Sequence, residues 1–305
     1  MRRLALLLVA LLAAAGCGFG AGSPSGDVTV TVSRDFGHTA LAPSKSEKAR
    51  DGETVMRLLQ RNFTVRTRYG GGFVQEIDGV SGGRANGRPV DWFYYVNGIE
   101  ASEGAAARKL SPGDRVWWDH HDWGVAQRIP AVVGAFPEPF ESGLNGKKLP
   151  VRLVCMGNAG RSCNEVEQRL SDAGVKTVAR SSLEQSVGKV LRVLVGAWPD
   201  VRKDIAARQL EQGPGTSGVF ARPSADGRRL ALLDSHGAVQ QTLGPASGLI
   251  AATSFTDQPP TWLVTGTDDV GVAAAAAALT EDQLREHFAL AIEAGKGVPL
   301  PIEAP

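Results

Sequence analysis

Two adjacent histidines between two aspartates form the group of side chains in this sequence that most resembles a metal site. His120 and His121 lie within residues 119–122, DHHD. Imidazole and carboxylate groups both bind metals, so a metal or cobalt ligand is one interpretation. Neighbouring residues of a strand point to opposite faces, however, and a straight strand does not direct both imidazoles to one ion. The pattern therefore predicts a polar strand end and no metal site.

These histidines belong to an aromatic segment, residues 91–123, which holds four of the six tryptophans and two of the three tyrosines. Two strand-like runs, residues 92–96 and 116–118, are separated by turn signals at Asn97-Gly98 and at residues 111–114, SPGD. Alternation along the strands places about half of the aromatic side chains in a core and leaves the others for a ligand. The candidate ligand-binding residues are Trp92, Tyr94, Tyr95, Asn97, Trp117, Trp118, His120, His121 and Trp123.

The N-terminus has the pattern of an export signal. Residues 1–3, MRR, form a short basic region, and the apolar run 4–15 is too short to span a bilayer comfortably. Residues 14–17, AAGC, resemble the bacterial lipobox, which implies cleavage before Cys17 and attachment of lipid to its thiol. An ordinary secretory leader with a chance cysteine is the alternative. The sequence thus predicts a signal peptide at 1–16, a flexible tether at 17–26 and an extracytoplasmic protein anchored to the membrane.

Export also affects the interpretation of the other two cysteines. Cys155 and Cys163 form an even pair in an oxidising compartment, which predicts a disulfide. Residues 155–162, CMGNAGRS, also resemble the phosphate loop of low-molecular-weight tyrosine phosphatases, which implies Cys155 as nucleophile and Arg161 as phosphate ligand. Cys163 replaces the proline of that family, and no Asp-Pro pair follows to supply the general acid. We expect a disulfide and no enzymatic activity, with a phosphatase as the alternative.

Residues 27–124 form the first predicted domain. Alternating Val and Thr at residues 27–35 predict a strand, residues 38–50 a loop, and residues 52–60, GETVMRLLQ, a helix. With the Tyr-Val-Asn-Gly and Ser-Pro-Gly-Asp turns, they resemble the C-terminal domain of the transcobalamin and intrinsic-factor family and its bacterial relatives of unassigned function. The resemblance implies a small β-grasp-like, ligand-binding domain. That family holds a corrinoid between this domain and an α/α barrel, and this sequence has no pattern for such a barrel.

The remaining sequence predicts an interdomain connection at residues 125–150 and an α/β domain of unknown function at residues 151–305. Apolar strand patterns alternate with helix patterns, which indicates a mixed sheet. Helices are predicted at residues 198–212 and 280–294, and a hairpin at Asp226-Gly227. The complete fold prediction is α+β, a β-grasp-like domain followed by an α/β domain.

The charge balance gives no reason to expect nucleic acid as a partner. Lysine and arginine number 33 against 32 acidic residues, so nothing in the composition favours nucleic acid. The sequence predicts a non-catalytic lipoprotein that binds a small ligand, with a corrinoid as one candidate, or a partner protein of an uptake system. A structural envelope adaptor is the other alternative. No cofactor is predicted, apart from cobalamin as a candidate ligand.

Overall fold

The computed structural model describes residues 26–186, 188–255 and 257–303. The predicted signal peptide, Cys17 and the tether up to residue 25 lie outside the described residues. No helix within these three ranges is long and apolar enough to cross a membrane.

The first domain consists mainly of strands, with one α-helix. Its elements are β1 (Asp27–Arg34), β2 (Thr39–Lys48), α1 (Val55–Asn62), β3 (Val65–Arg68), β4 (Phe73–Ile77), β5 (Val80–Ser81), β6 (Gly83–Ala85), β7 (Arg88–Val96), β8 (Ile99–Glu100) and β9 (Arg115–Asp122). A short 3₁₀ turn, Tyr69–Gly71, joins β3 to β4. The helix begins where Thr54 Oγ1 accepts a hydrogen bond from the Arg57 N–H, as an N-cap residue does.

The main sheet of this domain has the strand order β2-β1-β9-β7-β6, with β8 paired to β7. β1 and β9 are parallel at its centre, and the β1–β2 and β7–β9 pairs are antiparallel. Val30 points towards α1 and packs with Leu58 and Leu59 in one buried cluster. A hairpin, a helix and a parallel central pair make the β-grasp-like arrangement predicted from the sequence. Strands β3, β4 and β5 form a separate small sheet.

The prediction of a loop at residues 38–50 is wrong, because Thr39–Lys48 forms β2. This strand lies at the edge of the sheet and pairs only with β1 among the described strands. Its sequence, TALAPSKSEK, is polar and rich in lysine, and such residues discourage an edge strand from pairing with another chain. Polarity in this segment reflects an edge position rather than irregular structure.

In its described residues, the second domain contains a seven-stranded sheet, five helices and a separate three-stranded sheet. Its strands are β10 (Val151–Cys155), β11 (Val178–Arg180), β12 (Leu191–Ala197), β13 (Ala221–Pro223), β14 (Leu230–Leu233), β15 (Val239–Leu243), β16 (Gly248–Thr253), β17 (Thr261–Gly266), β18 (Ala289–Glu293) and β19 (Lys296–Leu300). Its helices are α2 (Gly160–Asp172), α3 (Trp198–Val201), α4 (Pro214–Ser217), α5 (Asp269–Ala277) and α6 (Glu281–Leu284), with a 3₁₀ helix at Ala207–Gln212.

The large sheet has the order β11-β10-β12-β17-β16-β18-β19. Its first four strands are parallel and the other three pair antiparallel, so the predicted mixed sheet is confirmed. One face packs against α2 and α5, where Val166 and Val272 are buried with Val193. The small sheet is the hairpin predicted at Asp226-Gly227, extended by β15.

Two helices predicted in this domain are much shorter than expected. Residues 198–212 form α3 and a separate 3₁₀ helix, because Asp204 Oδ1 accepts the N–H groups of Ala206 and Ala207 and turns the chain between them. Residues 280–294 form only α6, followed by β18. The run 289–292 is buried between β16 and β19, and so short an apolar run does not distinguish a strand from a helix.

The two domains share one hydrophobic core. Phe36 and Trp117 of the first domain belong to the same buried cluster as Phe220 and Phe288 of the second. The connection, residues 125–150, contributes to this cluster through Ile129 among others. The face of the large sheet opposite α2 and α5 is therefore covered by the small sheet, the connection and the first domain.

Candidate functional site

Eight of the nine side chains predicted as ligand contacts are buried, and the ninth is partly buried. The set that faces α1 is Trp92, Tyr94, Trp118 and His120. Trp92 Nε1 donates a hydrogen bond to the carbonyl of Val80 at 3.0 Å, and the Tyr94 hydroxyl donates to the carbonyl of Glu103 at 2.6 Å. Because the rings of this set pack within one buried cluster with α1, they form the core of the first domain.

His120 also packs in this core. Its Nε2 donates to the carbonyl of Ser81 at 3.2 Å, and its ring lies 5.1 Å from that of Trp92. Burial lowers the pKa of His120, which favours the neutral imidazole. The neutral ring therefore acts as a hydrogen-bonded aromatic side chain.

The second set of predicted contacts faces the other domain. Tyr95, Trp117 and His121 each meet the ring of Phe288, at centroid distances of 5.5, 5.1 and 5.5 Å. Phe36 stacks on His121 at 4.6 Å and contacts Phe288 at 5.3 Å. Aromatic pairs at these separations stabilise a fold beyond the area that they bury. The expected open aromatic face is thus closed by the protein's own second domain.

A buried carboxylate holds the turn that carries Phe36. Asp119 accepts hydrogen bonds from Ser33 Oγ at 2.5 Å, from the N–H groups of Phe36 and Gly37 at 3.0 and 2.9 Å, and from His121 Nδ1 at 2.8 Å. Gly37 has a φ of +85°, and a Cβ there would lie 2.0 Å from a backbone oxygen of the second domain. The aspartate of the DHHD run therefore positions the domain interface.

The other two predicted contacts also have structural partners. Asn97 has a φ of 55°, as its turn requires, and its Nδ2 donates to Asp114 Oδ1 and to the carbonyl of Gly143, both at 3.0 Å. Trp123 is partly buried and donates from Nε1 to Asp91 Oδ2 at 3.1 Å. The amide of Asn97 is thus occupied within the fold.

The predicted disulfide between Cys155 and Cys163 is confirmed. Arg161 of the phosphatase-like loop is exposed. A Cβ on Gly157, in the middle of that loop, would lie 2.1 Å from Asp200 Oδ2. The bonded sulfur of Cys155 is not a thiolate, and a carboxylate against the loop disfavours phosphate.

An opening between the two domains forms a cleft of about 300 Å³. It is lined by segments that are far apart in the sequence: the turn between β1 and β2, the β6–β7 hairpin, the end of β9, the turn between β14 and β15, and residues 301–303. Ligand pockets occur preferentially at such domain interfaces. We call this space the interdomain cleft.

The polar groups of the interdomain cleft come from both domains. Asp122 is paired with Arg88 Nε, and its Oδ2 lies 3.7 Å from His236 Nδ1. On the opposite side, His38 Nε2 donates to the carbonyl of Pro301 at 2.8 Å, and its Nδ1 lies 3.7 Å from Glu303 Oε1. The arrangement presents hydrogen-bond donors and acceptors, with charges of both signs, to a small polar ligand.

No sequence pattern indicated the cleft as a site. His38 was predicted to lie in a loop and belongs to the turn before β2, and His236 lies in the turn between β14 and β15. Residues that line the cleft are spread along the chain from His38 to Glu303. No local sequence pattern could therefore show that they lie together. Across the three described ranges, no three His, Cys, Asp or Glu side chains are placed to hold a metal ion.

Comparison with known proteins finds a match to one family within the first domain and one similar solved structure. A solved structure from Ruminococcus gnavus ATCC 29149, described as a "putative metal binding protein", is similar to 32% of this chain over 97% of its own, with 15% identity and a TM-score of 0.25. So low a score supports no inference about ligand. No curated protein matches the sequence. Residues 52–122, from α1 to the end of β9, match the family described as Domain of unknown function (DUF4430).

Proposed function

We propose that this chain is a lipid-anchored, extracytoplasmic, non-catalytic binding protein whose ligand contacts lie in the interdomain cleft. The observation that carries the proposal is the convergence of Arg88 and Asp122 of one domain with His236 and residues 301–303 of the other around a space of about 300 Å³. The N-terminal pattern ending in Cys17 and the Cys155–Cys163 disulfide support an oxidising location outside the cytoplasm.

The ligand that best fits this cleft is small and polar. Pockets for drug-sized ligands measure about 300 to 1,000 Å³, and the cleft lies at the lower limit of that range. A corrinoid is larger than such ligands. The face of the aromatic segment that includes Trp117 and His121 is covered by Phe36 and Phe288 and is not open to it. The geometry therefore favours a small polar metabolite over a corrinoid.

The cleft is tested by thermal unfolding of the mature protein in the presence of small polar metabolites. A ligand present at about 100 times its Kd stabilises the folded state by about 2.7 kcal/mol. The stabilisation should disappear in Arg88→Ala and His236→Ala, and remain in Lys296→Ala, which removes a cation from an exposed site on β19. Ligands that stabilise all three variants equally would place binding elsewhere.

The other parts of the proposal have separate tests. Labelled fatty acid should be incorporated into the wild type and not into Cys17→Ala. Cobalamin at up to about 1 mM, the weak end of specific affinity, should cause no saturable change in tryptophan fluorescence. Turnover of an aryl phosphate that is lost in Cys155→Ser would contradict the non-catalytic assignment.

A further inference from the structure

A second cavity lies in the first domain, where the two turns singled out in the sequence meet. It measures about 140 Å³ and is lined by residues 96–97 and 99–103, Arg108 and residues 143–145. The turns are joined beside it, since Asn97 Nδ2 donates to Asp114 Oδ1 at 3.0 Å. The same Asn97 nitrogen bonds the carbonyl of Gly143 at 3.0 Å, which holds the connection against the cavity. The walls are therefore fixed by hydrogen bonds.

Arg108 is a buried cation on the wall of this cavity, and its side chain is only 10% exposed. Its nearest acidic atom is Asp114 Oδ2, 3.7 Å from Nη2, which exceeds hydrogen-bond length. That oxygen already accepts the N–H of Ser111 at 2.8 Å. Within the described residues no acceptor forms a hydrogen bond with the Arg108 guanidinium. A carboxylate would satisfy these donors, because its two oxygens match the planar guanidinium fork.

A carboxylate of the protein lies on the rim of the same cavity. Glu103 is exposed, and the described residues provide no cation to pair with it. Its backbone is fixed, since the Tyr94 hydroxyl donates to the Glu103 carbonyl at 2.6 Å. The other acid of the wall, Glu100, is already paired with Arg128, whose Nε lies 3.4 Å from Glu100 Oε2. The cavity thus combines one under-bonded cation with one unpaired anion.

We propose that this cavity binds a small zwitterion of the α-amino-acid class, with its carboxylate on Arg108 and its ammonium group on Glu103. The volume of about 140 Å³ is below the range of about 300 to 1,000 Å³ for drug-sized ligands. It therefore limits the ligand to a small side chain, as in glycine or alanine. The site shares no lining residue with the interdomain cleft, so it would bind its ligand independently of the function proposed for that cleft.

Isothermal titration of the mature protein with glycine and L-alanine tests the proposal. Saturable binding with a Kd below about 1 mM is expected. Acetate and methylammonium, which each carry one of the two charges, should bind at least about tenfold more weakly, because one charged hydrogen bond is missing. Absence of saturable binding of both amino acids, or acetate binding as tightly as glycine, would overturn the proposal.

Matched variants locate the binding. Glu103→Gln should weaken glycine binding by about tenfold or more, and Arg108→Gln should abolish it. Lys109→Gln, which removes an exposed neighbouring cation, should bind as the wild type does. Glu103 is exposed, so its variant decides the outcome even if Arg108→Gln does not fold. Unchanged affinity in Glu103→Gln would refute the site, and loss of glycine binding in Arg88→Ala would place the amino acid in the interdomain cleft instead.

Discussion

Phe36 is the side chain whose removal best tests the shared core. It lies on the tight turn between β1 and β2, yet it is buried and contacts both domains. Its ring stacks on His121 at 4.6 Å and meets Phe220 at 5.1 Å and Phe288 at 5.3 Å, both in the second domain. Phe36→Ala removes all three contacts. It leaves the backbone N–H that bonds Asp119 in place.

The expected loss is large relative to the total stability. Replacing a buried Phe by Ala costs about 3 to 5 kcal/mol, through lost transfer free energy and the cavity left behind. Domains are typically stable by about 5 to 15 kcal/mol, so the variant should lose about a fifth or more of a typical value. Because the ring joins both domains, we expect the whole described fold to be destabilised together.

Urea unfolding followed by tryptophan fluorescence and by circular dichroism measures this loss. Phe36→Ala should shift a single transition to lower urea with both probes. Phe255→Ala is the matched control, since that phenylalanine is 39% exposed and its removal should change the free energy of unfolding by less than about 0.5 kcal/mol. A loss below about 1 kcal/mol for Phe36→Ala, or two separate transitions, would refute the shared core.

Four further changes test individual residues, all by urea unfolding. Asp119→Asn should lose about 3 kcal/mol, because the amide oxygen replaces a carboxylate that accepts four hydrogen bonds; a change below about 1 kcal/mol would contradict this. Tyr95→Phe should gain about 1 kcal/mol, since the buried hydroxyl has no hydrogen-bond partner among the described residues; a loss would show that it is satisfied. Burial lowers the pKa of His120, so the unfolded chain takes up a proton below about pH 6.5 before the folded chain does, and stability falls as the pH drops. The difference in free energy of unfolding between wild type and His120→Gln should shrink from about pH 7 to about pH 5. A constant difference would contradict a lowered pKa of His120 in the folded protein. Replacing Cys155 and Cys163 together by Ala should cost about 2 to 3 kcal/mol for so short a loop, and an unchanged midpoint would disprove a stabilising bridge.

Local patterns predicted much of the fold. Alternating valines predicted β1 and Asp226-Gly227 predicted the β13–β14 hairpin. The predicted start of a helix at residue 280 is also confirmed, with Thr280 as its N-cap. The same kind of reasoning failed for β2 and β18, since edge position and burial between neighbouring strands depend on partners distant in sequence. The transcobalamin resemblance and the lipid anchor on Cys17 stay predictions.

The sequence by itself determined which aromatic side chains of β7 and β9 share a face of the main sheet of the first domain. A strand has a period of two, so Trp117 and Asp119 must point away from Trp118 and His120. Only the tertiary structure decided that neither face is open, because α1 covers one and the second domain covers the other. Burial of a face depends on docking between segments that are far apart along the chain. For the same reason, the interdomain cleft and the surroundings of Arg108 have no signature in local sequence.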